Sequence, residues 1–260
     1  MLSKKNISIP GLVLKIIIAW AMIAFVVYPV VSLLIQTFWQ DGSLTTDVVG
    51  KVFSSARAVK SLKNSFILAF TLVVTVNIVG TLCVLFTEYW DIKGANILRL
   101  SYMTSLIYSG VVLVSGYKYV YGANGLLTKL LLMVFPNMNP NWFVGYGAVV
   151  FVMTFSCTQN HMMFLKNAIH SLDYHTVEAA KNMGAGGATI FFKVVLPVLK
   201  PTFFAITILT FLTGLGAMSA PLIVGGENFQ TITPMISPIS KTNYSREVAP
   251  FLASIQGIAT

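Results

Sequence analysis

Long apolar runs separated by short polar stretches set the pattern of this chain. A membrane-spanning helix needs about 20 mostly apolar residues. Five runs meet that length, at about 16–38, 64–87, 99–117, 144–165 and 201–224. The first is interrupted only by Ser32, Gln36 and Thr37. It is too long for the apolar core of a signal peptide and lacks a clean small-x-small cleavage pattern, so it is expected to stay as a helix. Asp, Glu, Lys and Arg keep out of the runs except at or beside their ends, at Lys15, Lys63 and Arg99. His161 is the one ionisable interior candidate, and its place near the end of the fourth run predicts an interfacial position. A sixth apolar stretch, "VAPFLASIQGIAT", starts at Val248 and has 13 residues. A terminal carboxylate in hydrocarbon is costly. The expectation is therefore an all-α polytopic membrane protein of one domain, 1–260, with five complete spans and a truncated sixth, in a chain that is a fragment of a longer protein; a short re-entrant or interfacial tail is the alternative for the last stretch.

The connections differ in character. Loop 39–63 is polar with mixed charge, and loop 88–98 is short. Loop 118–143 holds an apolar run from Leu126 to Phe135 that is too short to span. It predicts an interfacial helix, with Tyr119, Tyr121 and Trp142 at the headgroup level. Loop 166–200 is longer than a plain connector between helices. Within it Asp173 is placed to cap a helix over Tyr174–Met183, favoured by Glu178 and its alanines. Gly184 suits the left-handed position that ends a helix. A turn at Gly186–Gly187 and a second helix over Ala188–Val195 follow, with Pro197 and Pro201 handing over to the fifth run. Such a helical hairpin fits the groove of a soluble partner or the plane of the bilayer.

Composition fixes the class. Charged residues make up 10% of the chain, against about 25% in soluble domains, and mean hydropathy is +0.79. A net charge of +9 would point to nucleic acid in a soluble protein. Here it belongs to lysines and arginines that flank spans and face lipid headgroups. With the N-terminus inside, inner segments carry nine of the 17 lysines and arginines, so charge alone does not orient the chain. Cys83 and Cys157 fall inside apolar runs and read as small packing residues. His161, His170 and His175 straddle a span end and a loop, with no HExxH or CxxC beside them, so no metal site is expected.

The stretch "EAAKNMGAGGATIFFKVVLP" resembles the EAA motif of ABC importer permeases. Its matching positions are Glu178, Ala179, Ala180, Gly184, Val194, Leu196 and Pro197; Val194 stands where the family usually has Ile. The resemblance implies the six-helix, MetI-like permease core. It also implies that 172–197 is a cytoplasmic coupling region that docks on a separate ATPase. The N-terminus is then cytoplasmic as well, since four spans lie between, and the membrane is the bacterial inner membrane. The chain has no GxxxxGK[ST] loop. It is thus expected to be no enzyme and to bind no cofactor, with ATP and Mg held by the partner ATPase.

A second stretch, "FLTGLGAMSAPLIVGGENFQTITPMI", looks like the ferric-iron type of permease; polyamine, phosphonate and sulfate relatives share the Gly/Pro-rich end. Gly214, Gly216 and Pro221 are expected to break the fifth helix near its outer end and to border a translocation path. Close helix packing through small residues is the competing reading. The resemblance implies a cargo of ferric iron, delivered by an extracytoplasmic binding protein. It also implies a second permease half, in iron-type systems often fused in one chain. A secondary transporter or channel is the rival class. Such proteins usually need ionisable groups inside the membrane, and these runs nearly lack them.

Overall fold

The structure is a computed structural model and describes residues 9–40, 43–44, 47–90, 92–172, 174–227 and 229–239. In order, the helices are α1 (Ile9–Met22), α2 (Tyr28–Phe38), α3 (Asp47–Ser54), α4 (Ala56–Val84), α5 (Ala95–Thr104), α6 (Gly110–Tyr121), α7 (Leu126–Val134), α8 (Tyr146–His170), α9 (Tyr174–Asn182), α10 (Gly187–Ile190), α11 (Leu196–Leu215), α12 (Ser219–Val224) and α13 (Ile232–Ile239). One minimal hairpin interrupts this all-helical pattern. Strands β1 (Trp39–Gln40) and β2 (Ser43–Leu44) pair antiparallel, with Trp39 opposite Leu44 and Gln40 opposite Ser43.

The chain divides into two compact units. A terminal unit holds Met1–Val59 with Ile236–Ala259, and a central unit holds Lys60–Met235. In the terminal unit a π turn at Ile23–Val27 joins α1 to α2 without ending the helix. Trp20 and Phe25 on this run are exposed, as a helix surrounded by hydrocarbon requires.

Four helical runs among the described residues are long and apolar enough to cross a membrane: Leu12–Ser32, Ala56–Tyr89, Tyr146–His170 and Gly187–Leu215. They answer to four of the five expected spans. The run at 99–117 does not form one helix. It divides into α5 and α6 around a turn at 105–109. Ser109 takes an extended backbone and accepts from the Val112 N–H as an N-cap, so the helix restarts at Gly110. Hydropathy does not register this break, because Leu106, Ile107 and Tyr108 in the turn are apolar. At 1.5 Å per residue, α5 and α6 reach only about 15 and 18 Å, each short of the bilayer core.

The fifth span also shifts. It runs from Gly187 to Leu215, whereas 201–224 was expected. Pro197 and Pro201 do not interrupt it. A π turn at Phe191–Val195 lies just before them, where the Leu196 N–H reaches the Phe191 carbonyl. The wider turn relieves crowding of the Pro197 ring against the preceding turn, while Pro201 lies inside α11 and gives no N–H to the Pro197 carbonyl. The helix ends after Leu215, and α12 follows beyond Gly216–Met218. The sixth apolar stretch, from Val248, lies outside the described residues, as does Asp173.

Two buried clusters hold the central unit. One joins Leu68, Leu72 and Val76 of α4 to Val149, Val152 and Met153 of α8 and to Ala220 and Val224 of α12. The other joins Val84, Met162, Leu165, Ile190, Val195, Leu199 and Ile206. Side-chain hydrogen bonds tie the spans as well: Thr75 Oγ1 lies 2.8 Å from Thr154 Oγ1, and Asn77 Nδ2 donates to Thr207 Oγ1 at 3.3 Å. Such bonds add to packing where water is absent.

His161 lies within α8, nine residues before its end. It is completely buried, against Phe203 and the backbone of Gly80. Tyr121 is likewise half-buried. It stacks on Phe143 at 5.1 Å and meets Trp142 edge-on, because α7 folds back onto α6. The Trp142 indole N–H donates to Thr128 Oγ1, whose hydroxyl donates to the Tyr121 carbonyl.

Candidate coupling site

Helix α9 carries the EAA residues. It is only nine residues long, near the lower limit of a stable helix, so its end must be well made. Gly184 has φ +83°, the left-handed conformation that glycine adopts without penalty. The Gly184 N–H reaches the Lys181 carbonyl at 2.9 Å, and the Ala185 N–H reaches the Ala180 carbonyl at 3.1 Å. Together these two bonds form a Schellman motif. A Cβ on Gly184 would meet nothing within 4 Å, so the constraint there is conformational and not steric.

The faces of the hairpin differ. Val177, Ala180 and Ala185 pack against the cluster of Leu165, Ile190, Val195 and Leu199. Glu178, Ala179 and Met183 face outward; Met183 is 82% exposed. Glu178 Oε2 lies 3.8 Å from His175 Nδ1. Val194 and Leu196 are half-buried at the base of the second arm, and Pro197 is exposed beside them. Of the seven residues, Glu178, Ala179 and Ala180 lie on α9, Gly184 ends it, and Val194, Leu196 and Pro197 lie farther on, within the Gly187–Leu215 run.

Gly214, Gly216 and Pro221 are far from this hairpin. Gly214 lies 18 residues along the helix from Leu196, or about 27 Å. It is no break in the helix. A Cβ there would lie 2.6 Å from Ala69 Cα, so Gly214 sets a close crossing of α11 with α4. Gly216 caps α11, and Pro221 is buried in the first turn of α12. Carbonyls at the end of α12 are taken by the protein itself: Lys118 Nζ donates to Ile223 at 3.2 Å, and the Gly145 N–H to Val224 at 2.8 Å.

A feature without a sequence signature lies at the base of the hairpin. The Glu88 carboxylate is only 3% exposed. Arg99 Nε donates to its Oε1 at 2.7 Å, Lys166 Nζ lies 3.7 Å from Oε1, and His170 Nε2 lies 3.0 Å from Oε2. Arg99 also donates to the Thr87 carbonyl and to Asn96 Oδ1. Glu88 sits in a π turn, Leu85–Tyr89, that ends the α4 span. In sequence it is an ordinary acidic residue at a span end. Its partners come from α5 and α8, and only the fold collects them. A cavity of about 260 Å³ adjoins the cluster, walled by Tyr102, Met103, Leu106, Gln159, Met162 and Met163. Among the described residues no group of three or more His, Cys, Asp or Glu is placed to hold a metal.

Continuous and broken apolar helices, with a Schellman-ended hairpin leading into the last long span, are the architecture of a membrane-embedded protein. The chain belongs to the family described as binding-protein-dependent transport system inner membrane component, whose pattern it matches over residues 7–259. It is 36% identical over 244 residues to the probable ABC transporter permease protein y4fN of Sinorhizobium fredii, covering 94% of this chain and 43% of that protein. It is 23% identical over 212 residues to the ferric transport system permease protein FbpB of Actinobacillus pleuropneumoniae, covering 82% of this chain and 31% of that one. The chain spans less than half the length of both relatives. In fold it is similar to a chain of the bacterial alginate ABC transporter solved with an alginate pentasaccharide-bound periplasmic protein. The TM-score is 0.72 at 15% identity, over 95% of this chain and 88% of that one.

Proposed function

We propose that this chain is the transmembrane permease part of a bacterial ATP-driven importer. It takes substrate from an extracytoplasmic binding protein and is driven by a separate ATPase, where ATP and Mg are held. The observation that carries the reading is the hairpin of α9 and α10. It is anchored on one side, presents Glu178, Ala179 and Met183 on the other, and continues without interruption into the Gly187–Leu215 span. A helix docked in an ATPase groove would pass its motion directly into that span.

Several finer features go with this reading. The hairpin and the N-terminus are cytoplasmic. The broken pair α5 and α6 completes a fifth crossing, and the stretch from Val248 begins a sixth. A second permease half, in the same chain or another, faces this one across the translocation path. The path passes the interruption at Gly216–Met218, bordered by Gly214 and Pro221. Ferric iron is the cargo. That choice rests on the likeness to FbpB and on the Gly/Pro-rich end of the fifth span. The fold alone does not choose among cargoes, since the alginate transporter shares it.

Cysteines placed singly from Glu178 to Gly184 in the full-length parent protein test the reading. Crosslinks to the co-expressed ATPase confined to this stretch are the expected result. Accessibility of these cysteines from the extracytoplasmic side, without crosslinks, would overturn it. Uptake of radioactive ferric iron by cells carrying the operon, lost on deletion of this gene, tests the cargo.

A further inference from the structure

The geometry points to Glu88 as a positioning residue that locks the base of the coupling hairpin to the membrane spans, so that hairpin motion reaches the far end of the bundle. The inference rests on the proposed function.

Three elements meet at this carboxylate. Glu88 lies in the π turn that ends the α4 span, Arg99 on α5, and Lys166 and His170 in the last turns of α8. The main chain leads from His170 almost at once into α9. The residue after Glu88, Tyr89, packs edge-on against Phe191, with centroids 5.8 Å apart. Phe191 opens another π turn, between α10 and α11. The clasp therefore bears on both arms of the hairpin: on the first through the short chain link from His170 to α9, and on the second through the Tyr89–Phe191 contact. π turns inside helices recur at functional positions, and two of them in contact at the root of a moving element is an arrangement that packing alone does not require.

The charges explain why the clasp is firm. One buried carboxylate faces two permanent cations and an imidazole. Without it, Arg99 and Lys166 would face each other beside an apolar cavity with no counter-charge. Arg99 adds two further bonds from its guanidinium fork, which a lysine could not reproduce. Hydrophobic contacts along α4 and α8 can slide by small amounts, whereas a multiply bonded carboxylate gives a defined position.

The test uses the full-length parent protein with its ATPase in proteoliposomes, with its own cysteines replaced. One reporter is Lys181→Cys on exposed α9, read by crosslinking to the ATPase. The other is Met218→Cys, exposed in the interruption between α11 and α12, read by its maleimide labelling rate with and without ADP and vanadate. No cargo is needed. In the parent, both the crosslink and a nucleotide-dependent change in labelling are expected. Glu88→Gln should keep the crosslink and shrink the labelling response by about tenfold, a usual size for coupling between linked sites. Glu88→Asp should restore part of it. Lys166→Gln and Arg99→Lys, which leave the carboxylate partnered, should give smaller losses in the same direction. They decide the matter if Glu88→Gln fails to reach the membrane. A full response in every variant would overturn the clasp and leave the importer reading intact. Absence of the crosslink and of any response in the parent would overturn both.

Discussion

The rings of Tyr89 and Phe191 meet edge-on, 5.8 Å apart and inclined by 69°. Tyr89 is the last residue of one π turn, and Phe191 is the first of another. A π turn holds one residue more than an α turn, so it rotates every side chain beyond it relative to a straight helix. The two turns aim these rings at each other. An edge-to-face pair is worth about 0.5–1.5 kcal/mol beyond its area. A double-mutant cycle of Tyr89→Leu and Phe191→Leu, read as thermal unfolding in detergent, should return a coupling of about 1 kcal/mol. Strict additivity would mean that the rings merely lie close.

Gly184 gives a prediction about conformation alone. Its φ is +83°, and there is open space where a side chain would go. A non-glycine residue held left-handed costs about 1–2 kcal/mol. Gly184→Val should therefore shorten or redirect the end of α9 and lower transport several-fold. The amount of protein in the membrane should stay unchanged, because the burial of the spans is untouched. Gly184→Asn should be milder, since Asn tolerates this region best after glycine. Equal effects of Val and Asn would place the importance of Gly184 in partner contact and not in its backbone.

How far the sequence told this in advance varied with the range of the forces involved. The continuous spans were legible because hydropathy sums over a whole helix, and Leu12–Ser32, Ala56–Tyr89 and Tyr146–His170 fell close to expectation. The α9 hairpin was legible because its stop is one glycine in a good local context. The break at 105–109 was not, because an apolar turn leaves the hydropathy of its segment unchanged. Pro197 misled for a related reason: the π turn that admits it leaves no compositional trace. The Glu88 clasp was hidden because its meaning lies in three partners 11, 78 and 82 residues away in the chain.

Thr128 predicts a cost from one missing hydroxyl. It is fully buried, accepts from the Trp142 indole and donates to the Tyr121 carbonyl. Thr128→Val keeps the shape and leaves both partners unpaired, which should cost about 1–3 kcal/mol. Thr128→Ser should retain most of the stability. Unfolding monitored by tryptophan fluorescence suits the measurement, since Trp142 reports on this corner directly. Parity between Val and wild type would show that the bonds contribute nothing net.

Gly80 and His161 make a pair whose two substitutions should not add. A Cβ on Gly80 would lie 2.6 Å from ring atoms of His161 and 2.7 Å from its Cβ, so Gly80→Ala must push the imidazole away. Overpacking of this kind costs about 1–3 kcal/mol. Both ring nitrogens of His161 are buried without a hydrogen-bond partner among the described residues. A polar group in that state is itself unfavourable, so His161→Leu should be neutral or stabilising. Combining Gly80→Ala with His161→Ala should recover much of what Gly80→Ala alone loses, because the clash and its target disappear together. Thermal unfolding of the four proteins in one detergent checks the cycle. A second reading comes from transport: if His161→Leu abolishes it while unfolding is unchanged, the imidazole acts in translocation, and close packing against Gly80 is only how it is held.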